Sequence, residues 1–217
     1  MIRLSAFRWV PPFAQGLVRD LRVRWAFEEA GLPYEVMLIG PDDQKSPQYR
    51  AMQPFGQVPA IDDDGLVLFE SCAIIMHLGA RSEALMPRDE PARARVRTWM
   101  LAALNTIEPP VLALNVLGMS APRSDGVGSI RAEVSARVDA RLDSVAAFLA
   151  DRDYLEGGFS AADLLMTTVL RVLRETDKVT SRPVLCAYQR RCEDRPAFAK
   201  ALADQLQTFA QNEPVAS

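Results

Sequence analysis

The stretch from Val58 to Ser71 constrains the fold more than any other part of the chain. Two short apolar runs, Val58-Pro59-Ala60-Ile61 and Leu66-Val67-Leu68-Phe69, flank Asp62-Asp63-Asp64-Gly65. Asp-Gly supplies the positive φ angles of a tight hairpin turn, so the two runs read as antiparallel strands. A helix from Ser71 to about Ala80 follows directly. Upstream, Ile2 to Phe7 reads as a strand and Leu17 to Ala30 as a helix that stops at Gly31 and Pro33. Tyr34 to Ile39 reads as a second strand. A polar stretch from Pro41 to Pro54 follows, with room for a short irregular helix. The first ~85 residues thus alternate strand and helix, the pattern of an α/β layer.

Beyond Pro91 the spacing is helical. Ile130, Val134, Val138, Leu142, Val145 and Leu149 recur at steps of three and four, which marks one amphipathic helix. Pro109-Pro110 is expected to kink or end the helix that starts near Pro91, and Ser120 to Ser129 reads as a loop. The expected fold is an α/β N-terminal domain over 1–86 and an all-α C-terminal domain over 91–217, with the linker near Met86 to Glu90.

Composition excludes several functions. With 217 residues, 49% hydrophobic and 24% charged, the chain has ordinary globular values and length for one large or two small domains. A net charge of −3 lacks the basic surface that phosphate binding needs. The local cluster Arg88, Arg93, Arg95 and Arg97 alternates with Asp89 and Glu90, as a solvated helix face does. No nucleic-acid partner is expected. The N-terminus lacks the apolar core of a secretory signal and no stretch reaches ~20 apolar residues, so neither export nor a membrane is expected. Cys72, Cys186 and Cys192 are scattered, without metal-ligand spacing or a C-x-x-C pair. Reduced thiols in the cytoplasm and no metal are the expectation.

Three signals in order resemble the glutathione transferase family. They are Gln57-Val58-Pro59 before the hairpin, Phe69-Glu70-Ser71 at a strand-to-helix junction, and Phe159-Ser160-Ala161-Ala162-Asp163-Leu164. The last has the form of a capping box with a hydrophobic staple at the start of a very apolar helix. Leu21 to Glu35 adds a match to the family's first helix and second strand, so the likeness spans about residues 2–210. The resemblance implies a thioredoxin-like N-terminal domain that binds glutathione. It implies a cis bond before Pro59 and a Val58 main chain paired with the cysteinyl unit of glutathione. Ser71, read as the cap of its helix, would then share the helix N-terminus with the γ-glutamyl carboxylate, and Glu70 would take the γ-glutamyl amine. A homodimer, a small electrophilic second substrate and a role in detoxification follow by the same likeness.

The thiol activator departs from the pattern. The family uses a Tyr, Ser or Cys near the start of the first helix to lower a pKa that is ~8.5 in a free thiol. Arg8 to Gly16 contains none of these, and the customary position falls on Gly16 or Leu17. The backbone donors of Gly16 to Val18, the cation of Arg19 and the indole donor of Trp9 are the candidates that remain, while Ser5 reads as structural. His77 reads as a surface or packing residue and Cys72 as a buried inert thiol. The alternative to an enzyme is a glutathione-binding or structural relative without turnover.

Overall fold

In the computed structural model, residues 1–119 and 125–214 are described, the side chains of 119 and 125–127 excepted. The chain forms two compact units. One is Met1–Met86 with the chain from Arg195 onward, and the other is Pro87–Asp194.

The first unit is built on a four-stranded sheet of order β2-β1-β3-β4. Strand β1 (Ile2–Phe7) pairs parallel with β2 (Tyr34–Ile39) and antiparallel with β3 (Ala60–Asp63), which pairs antiparallel with β4 (Leu66–Phe69). A central strand is covered on both faces, and Leu4, Ser5 and Ala6 are accordingly all buried. The hairpin closes through Asp64 and Gly65, whose φ angles of 51° and 95° are both positive, as the favoured two-residue turn requires. Asp62 steadies that turn by accepting from the Gly65 amide at 2.8 Å.

Helix α1 (Asp20–Ala30) starts three residues later than Leu17 and ends at Gly31, which takes the left-handed φ of 63° that a side chain resists. Between β2 and β3 lie a short turn at Asp43–Lys45 and α2 (Pro47–Met52), and α3 (Ser71–Gly79) follows β4. Helix α9 (Pro196–Gln211) packs in this compact unit, although the sequence places it in the stretch 91–217. It is held to α1 by specific contacts. Phe198 meets Trp25 edge-on at 4.7 Å, and Arg195 reaches both carboxylate oxygens of Glu29 at 2.6 and 2.7 Å.

The second unit is helical. Helix α4 (Glu90–Ala102) passes through a π-helical turn at Ala103–Ile107 into α5 (Glu108–Met119). Pro109 and Pro110 therefore do not end the helix. They stand in the first turn of α5, directly after the stretch where the hydrogen-bond ladder widens, since a ring without an N–H cannot continue the ordinary ladder. The run from Glu90 to Gly118 is long and apolar enough by composition to cross a membrane, contrary to the expectation that no stretch would be. Val96, Met100, Ala103, Ile107, Val111 and Leu114 make a buried stripe along it at helical spacing.

Helix α6 (Asp125–Phe148) carries the expected core face, with Val138, Leu142 and Val145 buried and Leu149 just beyond its end. Ile130 on the same series is 53% exposed. Of the loop expected at 120–129, residues 120–124 lie outside the described residues and 125–129 are already helical. Helix α7 (Ala161–Leu170) is buried at every position, and α8 (Pro183–Glu193) completes the unit. The arginine cluster forms ion pairs, Arg93 and Arg97 with Glu90 and Arg95 with Glu156. It is the solvated face that the sequence suggested.

Candidate functional site

The peptide bond between Val58 and Pro59 is cis, and the segment on either side of it is fixed from several directions. Gln53, itself buried, accepts from the amides of Phe55 at 2.7 Å and Gln57 at 3.2 Å. Gln44 donates to the Gly56 carbonyl at 2.9 Å, and Arg50 donates to the Pro54 carbonyl at 2.6 Å. Gly56 must be glycine. Its φ is 65°, and an added Cβ would stand 2.8 Å from the Arg50 guanidinium carbon and from the Gln44 carbonyl oxygen.

A buried relay then clamps the two ends of the cis segment. The Ala60 amide donates to Ser5 Oγ at 2.7 Å, Ser5 and Tyr49 share a hydrogen bond of 2.8 Å, and Tyr49 Oη donates to the Gln57 carbonyl at 2.6 Å. Each hydroxyl has one proton, and that of Tyr49 is spent on Gln57, so Ser5 donates to Tyr49. Burial pushes the Tyr49 phenol above its ordinary pKa, which keeps that proton in place. Ser5 is thus structural, as the sequence reading held, and Tyr49 is a site residue that reading missed.

Helix α3 begins at the end of β4 with Glu70 as its N-cap, at φ 69° and ψ 114°, and no side chain caps its first turn. Ser71 is the first helical residue rather than the cap. Its buried hydroxyl lies 3.5 Å from Arg22 Nη1, the outer limit of a hydrogen bond. Glu70 is exposed beside it. Unlike a capped helix, this one receives no side-chain hydrogen bond from its N-cap residue. Cys72 is buried, and desolvation pushes its thiol up to about 11 despite the nearby Arg22 charge. It is no nucleophile at neutral pH.

The loop after β1 leaves the sheet beside this region. Arg8 donates its amide to the Ile39 carbonyl at 2.9 Å, and a short turn at Pro12–Ala14 leads to Gly16, which has φ 74°. Trp9 Nε1 is shielded from solvent and has no hydrogen-bond partner among the described residues. Arg19 is half-buried and already takes part in interactions, as the residue preceding α1. The Leu17 amide is bonded to the Ala14 carbonyl at 3.0 Å, and the helix proper starts only at Asp20. Of the backbone donors at 16–18 that the sequence suggested, the Leu17 amide is thus taken, and the segment precedes the helix rather than forming its first turn. The first turn of α1 instead buries Asp20 with Arg24 and Gln205.

Packing gathers these pieces. Val18 and Phe7 pack against the cluster of Ile39, Tyr49 and Val58, and Arg22 bridges from α1 to the start of α3. The cis segment, the approach to α1 and the open end of α3 thus converge, with Gln57 exposed and Val58 and Pro59 buried. Arg22 and Tyr49 carried no local signal; only contacts across 49 and 44 residues reveal them. His77 proves to be a packing residue, bonded to Asp63 at 2.7 Å, with Arg81 on the same carboxylate. No group of side chains suited to a metal ion occurs among the described residues.

A four-stranded sheet of this order with a cis-proline ahead of its hairpin defines a thioredoxin-like class of domain. Comparison with known proteins narrows that class. A model of the glutathione S-transferase N-terminal domain matches residues 21–81. Glutathione S-transferase 4 of Zea mays is 32% identical over 192 residues, 82% of this chain and 85% of that protein. Glutathione S-transferase F11 of Arabidopsis thaliana is 32% identical over 194 residues, 83% of this chain and 91% of that protein. A glutathione transferase from Burkholderia graminis, solved with two glutathione molecules bound per subunit, has a TM-score of 0.80 at 25% identity, covering 93% of this chain and 87% of that one. The chain belongs to the glutathione S-transferase family, and its function is that of a glutathione transferase-like enzyme.

Proposed function

We propose that glutathione lies along the cis segment, with its cysteinyl unit paired to the main chain of Val58 and its γ-glutamyl end at the start of α3. The observation that carries this reading is the uncapped N-terminus of α3 with Glu70 exposed beside it. The helix end and the Ser71 hydroxyl take the γ-glutamyl carboxylate, Glu70 takes the amine, and Gln57, Val58 and Pro59 form the wall. Calorimetric titration of glutathione into the wild type and Glu70→Ala tests it. Saturable binding that is lost in the variant supports the site, and equal binding to both removes it.

The reaction needs the thiolate. The thiol gives up its proton, the sulfur forms a bond to an electrophilic carbon, and the leaving group departs with its electron pair. Trp9 is the first candidate to stabilise the sulfur, because its indole N–H is desolvated and lacks an acceptor. Arg19 is the second, through its charge. Losing one such donor costs on the order of a hundredfold in turnover. Trp9→Phe should therefore lower turnover of a generic aryl halide and raise the pKa of bound glutathione, with affinity kept. The same result from Arg19→Ala and not from Trp9→Phe would reverse the order. The absence of Tyr, Ser and Cys from residues 8–16 also favours a second reading, a glutathione-binding relative without turnover. Binding with no product from any aryl halide or organic peroxide would select it.

A cytoplasmic homodimer that conjugates small electrophiles in detoxification completes the proposal. Support for the dimer comes from an apolar surface in the first unit on the Phe69 side of β4, where Phe55 and Val67 are 63% and 39% exposed. Phe55 packs against Phe69 of β4 at 6.1 Å. Light scattering on Phe55→Asp tests the dimer: a monomer supports this surface, and an unchanged dimer rules it out.

A further inference from the structure

Helix α2 holds Gln57 by both of its backbone groups. Tyr49 Oη donates to the Gln57 carbonyl at 2.6 Å, and Gln53 Oε1 accepts from the Gln57 amide at 3.2 Å. Tyr49 is itself fixed within that helix. Its amide donates to Ser46 Oγ at 3.1 Å, and its carbonyl accepts from the Gln53 amide at 2.8 Å. Its side chain is buried in the cluster with Ile39 and Val58. Ser5, buried in β1, ties the Tyr49 hydroxyl to the Ala60 amide on the far side of the segment.

What these bonds fix is a direction. In a trans peptide the C=O and N–H lie in one plane and point opposite ways. The Gln57–Val58 bond is trans, so a Gln57 carbonyl turned inward to Tyr49 turns the Val58 N–H away from the core hydroxyl. The Val58 side chain is buried, yet its amide makes no hydrogen bond among the described residues. A backbone donor without a partner, in a segment braced from α2 and from β1, is pre-organised for an acceptor that a ligand supplies. Rotation of this one peptide plane would swing the donor aside, and the Tyr49 bond opposes it.

We propose that Tyr49 is a positioning residue for glutathione: through the Gln57 carbonyl its hydroxyl aims the Val58 amide at the cysteinyl carbonyl, and Ser5 holds that hydroxyl in place. The proposal rests on the glutathione reading above and adds to it two side chains that do not touch the ligand. Tyr49 takes no part in activating the thiol, because its proton is committed to Gln57.

The test is Tyr49→Phe, which keeps the ring in its cluster and removes the hydroxyl. In calorimetric titrations, glutathione and S-methylglutathione should weaken by the same factor, about five- to tenfold, as the loss of one hydrogen bond allows. Amide hydrogen exchange followed by NMR in the glutathione complex should show Val58 protected in the wild type and several-fold less so in the variant. Ser5→Ala is the second variant and should weaken both ligands about two- to threefold. The double variant should lose less than the product of the single losses, because the two hydroxyls act as a unit. Ser160→Ala, in the other unit, should lower stability and leave both ligand affinities and Val58 protection unchanged, which separates positioning from general weakening of the fold. Wild-type affinity in Tyr49→Phe, a loss confined to glutathione with S-methylglutathione spared, unchanged Val58 protection, or losses that multiply in the double variant would each overturn the proposal. If glutathione fails to bind the wild type, or binds Glu70→Ala equally, the glutathione reading falls and the proposal with it. Saturable, Glu70-dependent binding that is indifferent to Tyr49 removes the proposal alone.

Discussion

Helices α3 and α7 both begin with a buried serine, yet they treat their first turns in opposite ways. At α7 the serine is the N-cap. Ser160 Oγ accepts from the Ala162 amide at 3.3 Å, and Asp163 reaches back to the Ser160 amide at 3.0 Å. Asp163 also accepts from the Leu155 amide at 2.9 Å and from Tyr188 Oη at 3.0 Å. Every lone pair is used, and the helix is closed to solvent and ligand alike. At α3 the serine comes one position later, the cap is a glutamate that caps nothing, and the first turn is left open. One residue of offset separates a self-capped helix start from an uncapped one. What decides between them is whether the chain satisfies its own orphan donors.

Four experiments can break or sharpen that contrast. The largest effect is expected at the closed end. Asp163→Ala removes four hydrogen bonds from a fully buried position and should cost about 3–4 kcal/mol in chemical denaturation, more than a surface change and in the range of a broken buried network. A loss below about 1 kcal/mol would mean that α7 does not depend on its cap. Next comes the open end. Glu70→Ala should weaken glutathione binding at least tenfold, or about 1.4 kcal/mol, while unfolding shifts by no more than about 0.5 kcal/mol.

The same substitution at both serines gives a finer comparison. Ser160→Ala should lose about 1–2 kcal/mol of stability, and Ser71→Ala less than half of that with a several-fold loss of glutathione affinity. Equal stability losses would erase the distinction. The smallest effect concerns the residue after Ser71. The Cys72 thiol is pushed up to about 11 by burial. The unfolded chain then releases this proton first, so stability should fall as pH rises from about 9 to about 11. Cys72→Ala should flatten that slope, and an unchanged slope would show that Cys72 is not its source.

The legible parts of the fold were those written within a few residues. The Asp64-Gly65 turn, the Gly31 stop and the Ser160–Asp163 box each act over one to four residues, and steric or hydrogen-bonding rules fix them locally. The apolar series of α6 was equally plain. Its start was not, because Asp125 to Ser129 have loop-like composition and still form helix. At the site, the sequence singled out the segments on both sides of the hairpin but misjudged Ser71 as a cap. It also offered the backbone donors of residues 16–18, one of which is engaged within the chain. The Ala14 carbonyl already occupies the Leu17 amide, and Asp20 turns inward to Arg24. Neither pairing is implied by spacing.

By itself the sequence determined which segments become strands and helices, where they turn, and that one helix start is self-capped, because these depend on dihedral sterics and on partners a turn away. The tertiary structure decided which polar groups stay unsatisfied. It brought Tyr49 beneath the cis segment and Arg22 behind Ser71, and it docked α9 on α1 through Glu29, Trp25 and Asp20. It left the Trp9 indole N–H and Arg24 Nη2 without hydrogen-bond partners among the described residues, and α3 without a side-chain cap from Glu70. Local rules count donors and acceptors, but only packing across the chain settles which of them remain for a ligand.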